Sequence, residues 1–213
     1  MNQVNYQKEL EKILDGLQDA GDGFVPTLFL HSCCAPCSSY VLAYLCRYFR
    51  ICVFYYNPNI SASDEYRKRV AEQKRLIASY NEERRGYPID ILEGDYEPGR
   101  FFAAARGLEG CPEGGERCTR CFELRLGETA RRGAAEGFDY FTTTLSISPL
   151  KNAKKLNEIG QKLAEEHGIA WLPSDFKKRD GYKRSVELSA QYGLYRQDYC
   201  GCTYSVRGTE RQA

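Results

Sequence analysis

Val25-Pro-Thr-Leu-Phe-Leu30 runs straight into His31-Ser32-Cys33-Cys34-Ala35-Pro36-Cys37, and the reading of this stretch decides the fold. The short apolar run predicts a strand. Val41, Leu42, Leu45 and Tyr48 then repeat at helical spacing, so Cys34–Tyr48 reads as a helix. A second apolar run, Ile51–Tyr56, predicts the next strand and is stopped by Asn57-Pro58-Asn59. The turn that opens the first of these helices carries cysteines. Backbone N–H groups and the positive helix end stabilise thiolates there.

The same alternation extends in both directions. Upstream, Tyr6, Leu10, Ile13, Leu14 and Leu17 predict an amphipathic helix over 3–19, ended by Gly21, Gly23 and Pro26. Downstream, Ser63 is the expected N-cap of a long helix with Tyr66, Val70, Ile77 and Tyr80 in its stripe. Strands are expected at 89–92, 138–144 and 169–172, and helices at 150–167 and 183–192. The expected fold class is α/β, a parallel sheet of about five strands flanked by helices on both faces. One domain is expected over 1–213. Its segment 95–136 reads as a helical insertion carrying Cys118 and Cys121, and 175–213 as a C-terminal segment carrying Cys200-Gly201-Cys202.

Open parallel sheets bind ligands beyond the carboxyl ends of their strands. The residues expected there are His31 to Cys34, Asn57 to Asn59, Gly94 to Tyr96, Thr143 to Ser146 and Pro173 to Asp175. All are polar or reactive sets, which points to one site at this edge.

Composition narrows the chemistry. Hydrophobic residues make up 42% of the 213, a globular composition, and no apolar run is long enough to span a bilayer. The first residues show no apolar signal core, so a cytoplasmic protein is expected. Ten cysteines then point to metal binding or thiol catalysis rather than structural disulfides. The net charge of +1 hides a basic run between Asp175 and Arg184. Lys177, Lys178, Arg179 and Lys183 in it are candidate contacts to phosphates, against the plainer reading of a solvated surface. Sixteen tyrosines either pack or stack on bases. Neither G-x-G-x-x-G nor G-x-x-x-x-G-K-[ST] occurs, so no motif supports nucleotide binding.

The cysteines fall into three groups: Cys33, Cys34 and Cys37; Cys118 and Cys121; and Cys200 and Cys202. A C-x-x-C at a helix start lets two sulfurs reach one metal. Adjacent cysteines chelate a single zinc poorly, but they reach two corners of a cubane. The candidate set is Cys33, Cys34, Cys118 and Cys121 around a [4Fe–4S] cluster, with a structural zinc at Cys118/Cys121 left open by spacing alone. Cys37 is a spare ligand or a contact to a second metal. Cys200-Gly-Cys202 permits an easily reduced disulfide, two free thiols or metal ligands. Cys46 and Cys52 read as small buried hydrophobes, and Cys111 stays unassigned. Asp175 is a candidate acid or metal ligand, or else a helix N-cap. His31 borders the cysteines and is placed to orient a ligand, whereas His167 sits at a helix C-terminus.

Taken together, His31-Ser-Cys-Cys-Ala-Pro-Cys37, Glu113-Gly-Gly-Glu-Arg-Cys-Thr-Arg-Cys-Phe-Glu-Leu-Arg-Leu126, Phe141-Thr-Thr-Thr-Leu-Ser-Ile-Ser-Pro149, Asp175-Phe-Lys-Lys178 and Tyr199-Cys-Gly-Cys202 resemble epoxyqueuosine reductase of the QueH family. The motifs run in family order from about Val25 to Ser205. The resemblance implies a HUP-like α/β domain that holds a [4Fe–4S] cluster. It also implies the last step of queuosine synthesis, reduction of the epoxide on the modified guanosine at the tRNA wobble position with loss of water. By the same resemblance, Cys33, Cys34, Cys118 and Cys121 are cluster ligands and Cys200 and Cys202 a redox-active pair. Cys37 is the candidate contact for a second, adjacent iron. Partners would be the tRNA anticodon loop, held by the Lys177–Lys183 run, and an electron donor whose identity the sequence leaves open. Asp175 or a tyrosine would protonate the leaving oxygen. Two rivals come from other classes. Cys34-Ala-Pro-Cys37 copies a thiol–disulfide oxidoreductase, and the C-x-x-C suits a zinc-stabilised RNA-binding module.

Overall fold

A computed structural model describes residues 4–19 and 23–205; Gln3 and Gly21, on which the expected limits of the first helix fall, lie outside them, as does the chain beyond 205. In chain order the elements are α1 (Tyr6–Asp19), β1 (Thr27–His31), α2 (Ala35–Leu45), β2 (Arg50–Tyr55), α3 (Ser63–Glu82), β3 (Ile89–Glu93), α4 (Pro98–Ala105), α5 (Glu116–Ala135), β4 (Tyr140–Thr143), α6 (Ala153–His167), β5 (Ala170–Trp171) and α7 (Gly181–Gln191). The strands lie in the order β3-β2-β1-β4-β5, and every neighbouring pair is parallel. This is the parallel, five-stranded α/β sheet expected from the sequence. Strand order reverses between β1 and β4, which opens a crevice at their carboxyl ends. Cys33 and Cys34 follow β1 directly into it.

Period-two alternation sends the strands' side chains to two separate cores. Leu28 and Leu30 of β1 face Leu10 and Leu14 of α1, Val41, Leu42 and Leu45 of α2, and Leu76, Ile77 and Tyr80 of α3. Phe29 faces the other way, with Phe54, Phe141 and Trp171, against Phe122, Leu126 and Ala130 of α5 and Leu156 of α6. Each such fully buried side chain contributes about 1.5–3 kcal/mol. His31 shares the parity of Phe29, so it points toward α5. Two of the helices approach very closely. A Cβ at Gly160 would lie 2.3 Å from the Trp171 indole, and one at Gly181 would lie 1.9 Å from the Phe176 carbonyl oxygen.

Several boundaries differ from the expectation. The N-cap of α3 is Ala62, not Ser63, and no side chain caps it; Asp64 and Glu65 complement the helix's positive end instead. The second helix stops at Leu45 rather than Tyr48, because the chain must turn to feed β2, where the Arg50 N–H donates to the Pro26 carbonyl. Its last helix starts at Gly181, after Arg179 and Asp180 both take positive φ (52° and 59°). The segment 95–136 forms α4 and α5, and α5 covers β1 and β4. His167 ends α6, capped by Gly168 at φ 69°. No helix among the described residues is long and apolar enough to cross a membrane.

Candidate active site

Cys34 occupies the N-cap of α2 in extended geometry (φ −170°, ψ 150°), and the proline in the first turn fixes the helical direction from there. That geometry swings Cys33, Cys34 and Cys37 together. Their three sulfurs lie within 4.8 Å of one another, and Cys33 Sγ and Cys34 Sγ are 3.8 Å apart. Thiolates at about 2.3 Å from a tetrahedral ion sit about 3.8 Å apart, so this group could hold a metal. Hydrogen bonding from Cys34 and Cys37 holds the Cys33 thiol well below its ordinary range, while the same contact pushes Cys34 up to about 12. Beneath the turn, the Ser32 and Ser38 hydroxyls and the Gln73 amide oxygen form a buried network at 2.6–2.9 Å.

Helical spacing on α5 puts Cys118, Cys121 and Arg125 on one face, one turn apart. Cys118 Sγ accepts the Gly114 N–H at 3.2 Å, from a turn in which Gly114 takes φ 84°. Burial pushes the Cys121 thiol up. Arg125 is buried at 3% exposure and has no ion pair with a carboxylate among the described residues. Its guanidinium donates to Asn57 Oδ1 at 2.6 Å, His31 Nε2 at 3.3 Å and Cys121 Sγ at 3.9 Å. Asn57 in turn donates to the Ser32 carbonyl at 2.8 Å, which ties α5 to the residue before Cys33.

Cys200 and Cys202 are brought in from the far end of the chain by a buried arginine. Arg69, paired with Glu65 at 2.7 Å, donates to the carbonyls of Tyr199 and Cys200 at 3.3 and 3.2 Å. Gly201 between the cysteines takes φ 97°, and a Cβ there would lie 2.8 Å from Ile60. Both cysteines are free thiols. The hydrogen bond from Cys202 draws Cys200 down to about 5, aided by the nearby Lys151 charge, and the same bond pushes Cys202 up.

The three cysteine groups meet at one place. A cavity of about 390 Å³ is walled by Cys33, Cys37, Cys200, Arg125 and Lys151, with Tyr182 and Leu150 among its other lining residues. A much smaller space beside it is lined by Cys118, Cys121, Cys200 and Cys202, and shares Arg125 and Lys151. Arg125, Cys200 and the Lys151–Glu113 ion pair (3.1 Å) line both and form the partition between the two.

The family pattern for epoxyqueuosine reductase QueH matches residues 28–208, which hold every group just described. The chain belongs to the epoxyqueuosine reductase QueH family. It is 42% identical over 205 residues to the epoxyqueuosine reductase QueH of Staphylococcus epidermidis, spanning 95% of this chain and 85% of the relative. Identity to the protein of the same name from Streptococcus pyogenes serotype M1 is 40% over 204 residues, spanning 96% and 79%. The Thermotoga maritima relative is 33% identical over 183 residues, spanning 84% and 90%. Membership of the QueH family makes the chain an oxidoreductase.

Other sequence-expected residues of this QueH family member fall elsewhere. Asp175 pairs with Lys177 at 2.6 Å and, with Lys177 and Lys178, lines a separate depression rather than the cysteine cavity. Arg179 donates to Glu11 through Nε and Nη2 at 3.0 and 3.1 Å. Lys183 is exposed. Cys46 is buried, Cys52 is partly buried, and the Cys111 carbonyl accepts a hydrogen bond from Arg117. Sequence reasoning passed over Arg69, Arg125 and Lys151. For Arg125 a signal existed: it interrupts the stripe of Cys118, Cys121, Phe122 and Leu126 on the buried side of α5.

Proposed function

We propose that this chain reduces the epoxide of epoxyqueuosine at the tRNA wobble position to queuosine, releasing water, in the cytoplasm. The observation that supports this reading is the convergence of three cysteine groups on two adjoining cavities in a QueH family member. The overall change takes up two electrons and two protons per epoxide. Oxidation of two thiols to one disulfide releases that same number. The Cys200 thiolate and the Cys202 thiol, oxidised together to a disulfide, supply both electrons and one of the protons; the second proton comes from solvent, and the disulfide is reduced again by an external donor.

The donor set suits a [4Fe–4S] cluster held by Cys33, Cys34, Cys118 and Cys121, with Cys37 as contact for an adjacent iron. All five donors are soft thiols, and the buried Arg125 guanidinium, which has no carboxylate partner among the described residues, offsets the negative charge of a thiolate-ligated cluster. When bound, such a cluster supplies one-electron chemistry and a Lewis-acidic iron. In this reading the Cys202 thiol, held protonated beside Cys200 in the smaller adjoining space, supplies that one proton, passed on through Cys200 at the shared wall, in place of the ion-paired Asp175. Lys178 and Lys183 meet the tRNA backbone, with Lys177 and Arg179 once their carboxylate partners are displaced.

The test is an oxygen-free purification followed by assay on epoxyqueuosine tRNA with a low-potential reductant. Queuosine is expected in the digested tRNA; an iron-loaded sample that yields none overturns the reading.

A further inference from the structure

The rim of the cysteine cavity carries two exposed apolar side chains that the chemistry above does not use. Tyr182, in the first turn of α7, is 41% exposed, and Leu150, on the loop before α6, is 55% exposed; both line the cavity. Tyr182 has no ring contact and its hydroxyl has no hydrogen-bond partner among the described residues. Other tyrosines are already engaged. Tyr40 stacks on Tyr44 with centroids 5.8 Å apart. Tyr199, which also lines the cavity, lies under the Arg69 guanidinium at 5.3 Å. Tyr182 is thus a solvent-facing ring at the entrance, held on a helix whose start is fixed by the tight seat of Gly181 against Phe176.

Charge on the same cavity wall says what the ring faces: Glu113 there is paired with Lys151, and the remaining carboxylate, Asp198, is outweighed by Arg125 and Arg196. Arg196 lines the same cavity and is exposed. It donates only to the Ser189 hydroxyl at 3.0 Å and has no carboxylate partner among the described residues. Lys183 follows Tyr182 directly and is likewise exposed, with no ion pair among the described residues. An exposed aromatic face with unpaired cations beside it is the arrangement that holds an unstacked nucleotide.

We infer that Tyr182, Leu150 and Arg196 form the seat for a nucleotide flanking the modified base, its base stacked on the Tyr182 ring beside Leu150 and its phosphate paired with Arg196. The inference rests on the tRNA reading above and adds to it the residues that grip the anticodon loop. Splaying the modified base into the cavity breaks its stacking on a neighbour, and Tyr182 supplies a replacement surface for that neighbour.

The iron-loaded enzyme and its variants are titrated with a fluorescently labelled, unmodified anticodon stem–loop at several salt concentrations. Tyr182→Ala weakens binding on the order of tenfold, as loss of one base-stacking surface requires. Tyr182→Phe, which keeps the ring, binds within about twofold of wild type. Arg196→Ala flattens the slope of log affinity against log salt by about 0.7, whereas Tyr182→Ala leaves the slope unchanged. Wild-type-like binding by Tyr182→Ala overturns the inference, as does equal weakening by the alanine and phenylalanine variants. If Tyr182→Ala binds RNA normally yet slows only re-reduction by a protein electron donor, the rim serves that donor and the inference falls. Wild-type enzyme that neither binds the stem–loop nor converts epoxyqueuosine tRNA removes the tRNA reading itself. Conversion by wild type with unchanged binding in the variant removes the inference alone.

Discussion

Arg125 Nε donates to His31 Nε2 at 3.3 Å, and this contact fixes the tautomer of a fully buried ring. A guanidinium keeps its protons at any accessible pH, so Nε2 is the acceptor although the Tyr56 carbonyl also lies 3.2 Å away. Nδ1 then carries the hydrogen and donates to Thr143 Oγ1 at 2.8 Å. Burial, reinforced by the Arg125 charge, pushes His31 down to about 3, so the ring stays neutral under ordinary conditions. The result is a rigid brace from α5 through β1 to β4, passing directly beside the cysteines.

Arg125→Ala leaves Asn57 Oδ1 and His31 Nε2 buried without their donor. Each orphaned group costs about 1–3 kcal/mol, so urea unfolding is expected to show a loss in that range at least. Arg125→Lys restores a charge but not the forked geometry, and recovers only part of it. A variant as stable as wild type shows that the brace carries no weight.

The sign of the pH effect at Cys200 is clear. Its thiol titrates near pH 5, so the reactive thiolate persists well below the ordinary thiol value of about 8.5 and is lost only as pH falls through about 5. In reduced protein, alkylation located by peptide mapping should therefore continue at Cys200 in mildly acid buffer, where a free thiol such as that of glutathione is unreactive. Cys202→Ala removes the hydrogen bond and moves the profile back toward that of a free thiol. A Cys200 profile centred near pH 8.5 in the wild type contradicts the geometry.

The proposed cluster predicts that iron content separates the cysteines by role. Cys118→Ala and Cys121→Ala are expected to lose most of the iron and sulfide retained on oxygen-free purification. Cys52→Ala, in β2 outside both cavity walls, should retain wild-type content. Equal iron in all three variants would remove α5 from the ligand set.

Gly160→Ala tests the packing of α6 on β5. The new methyl group would lie 2.3 Å from a buried indole, so Trp171 must shift, and with it the hydrogen bond from its Nε1 to Asn157 at 3.0 Å. Overpacking of this kind costs about 1–3 kcal/mol, read as a lower thermal midpoint. Because Gly160 and Trp171 line neither of the two cysteine-walled cavities, iron content should not change.

The parallel sheet was legible because its strands are short apolar runs separated by helical repeats, and that patterning is local. Strand ends carrying His31 to Cys34, Asn57 and Thr143 were legible for the same reason, since the open-sheet rule places them at one edge. Cap positions were less so. Ser63 looked like an N-cap, yet Ala62 fills that place, because the path of the loop rather than side-chain preference sets where α3 begins.

What the sequence determined by itself was the α/β alternation, the three cysteine groups and membership of a family whose motifs run in order along the chain. Only the tertiary structure decided which charges belong to the site. Lys177 and Arg179 looked basic and free in one dimension, but folding pairs them with Asp175 and Glu11. The sequence assigned Arg69 and Arg125 no role, but packing of α3 and α5 buries them against the Cys200 carbonyl and the Cys121 sulfur. The physical reason is that a charge's role depends on its desolvation and on the counter-charge within a few ångströms. Both are set by residues that folding brings in from distant parts of the chain.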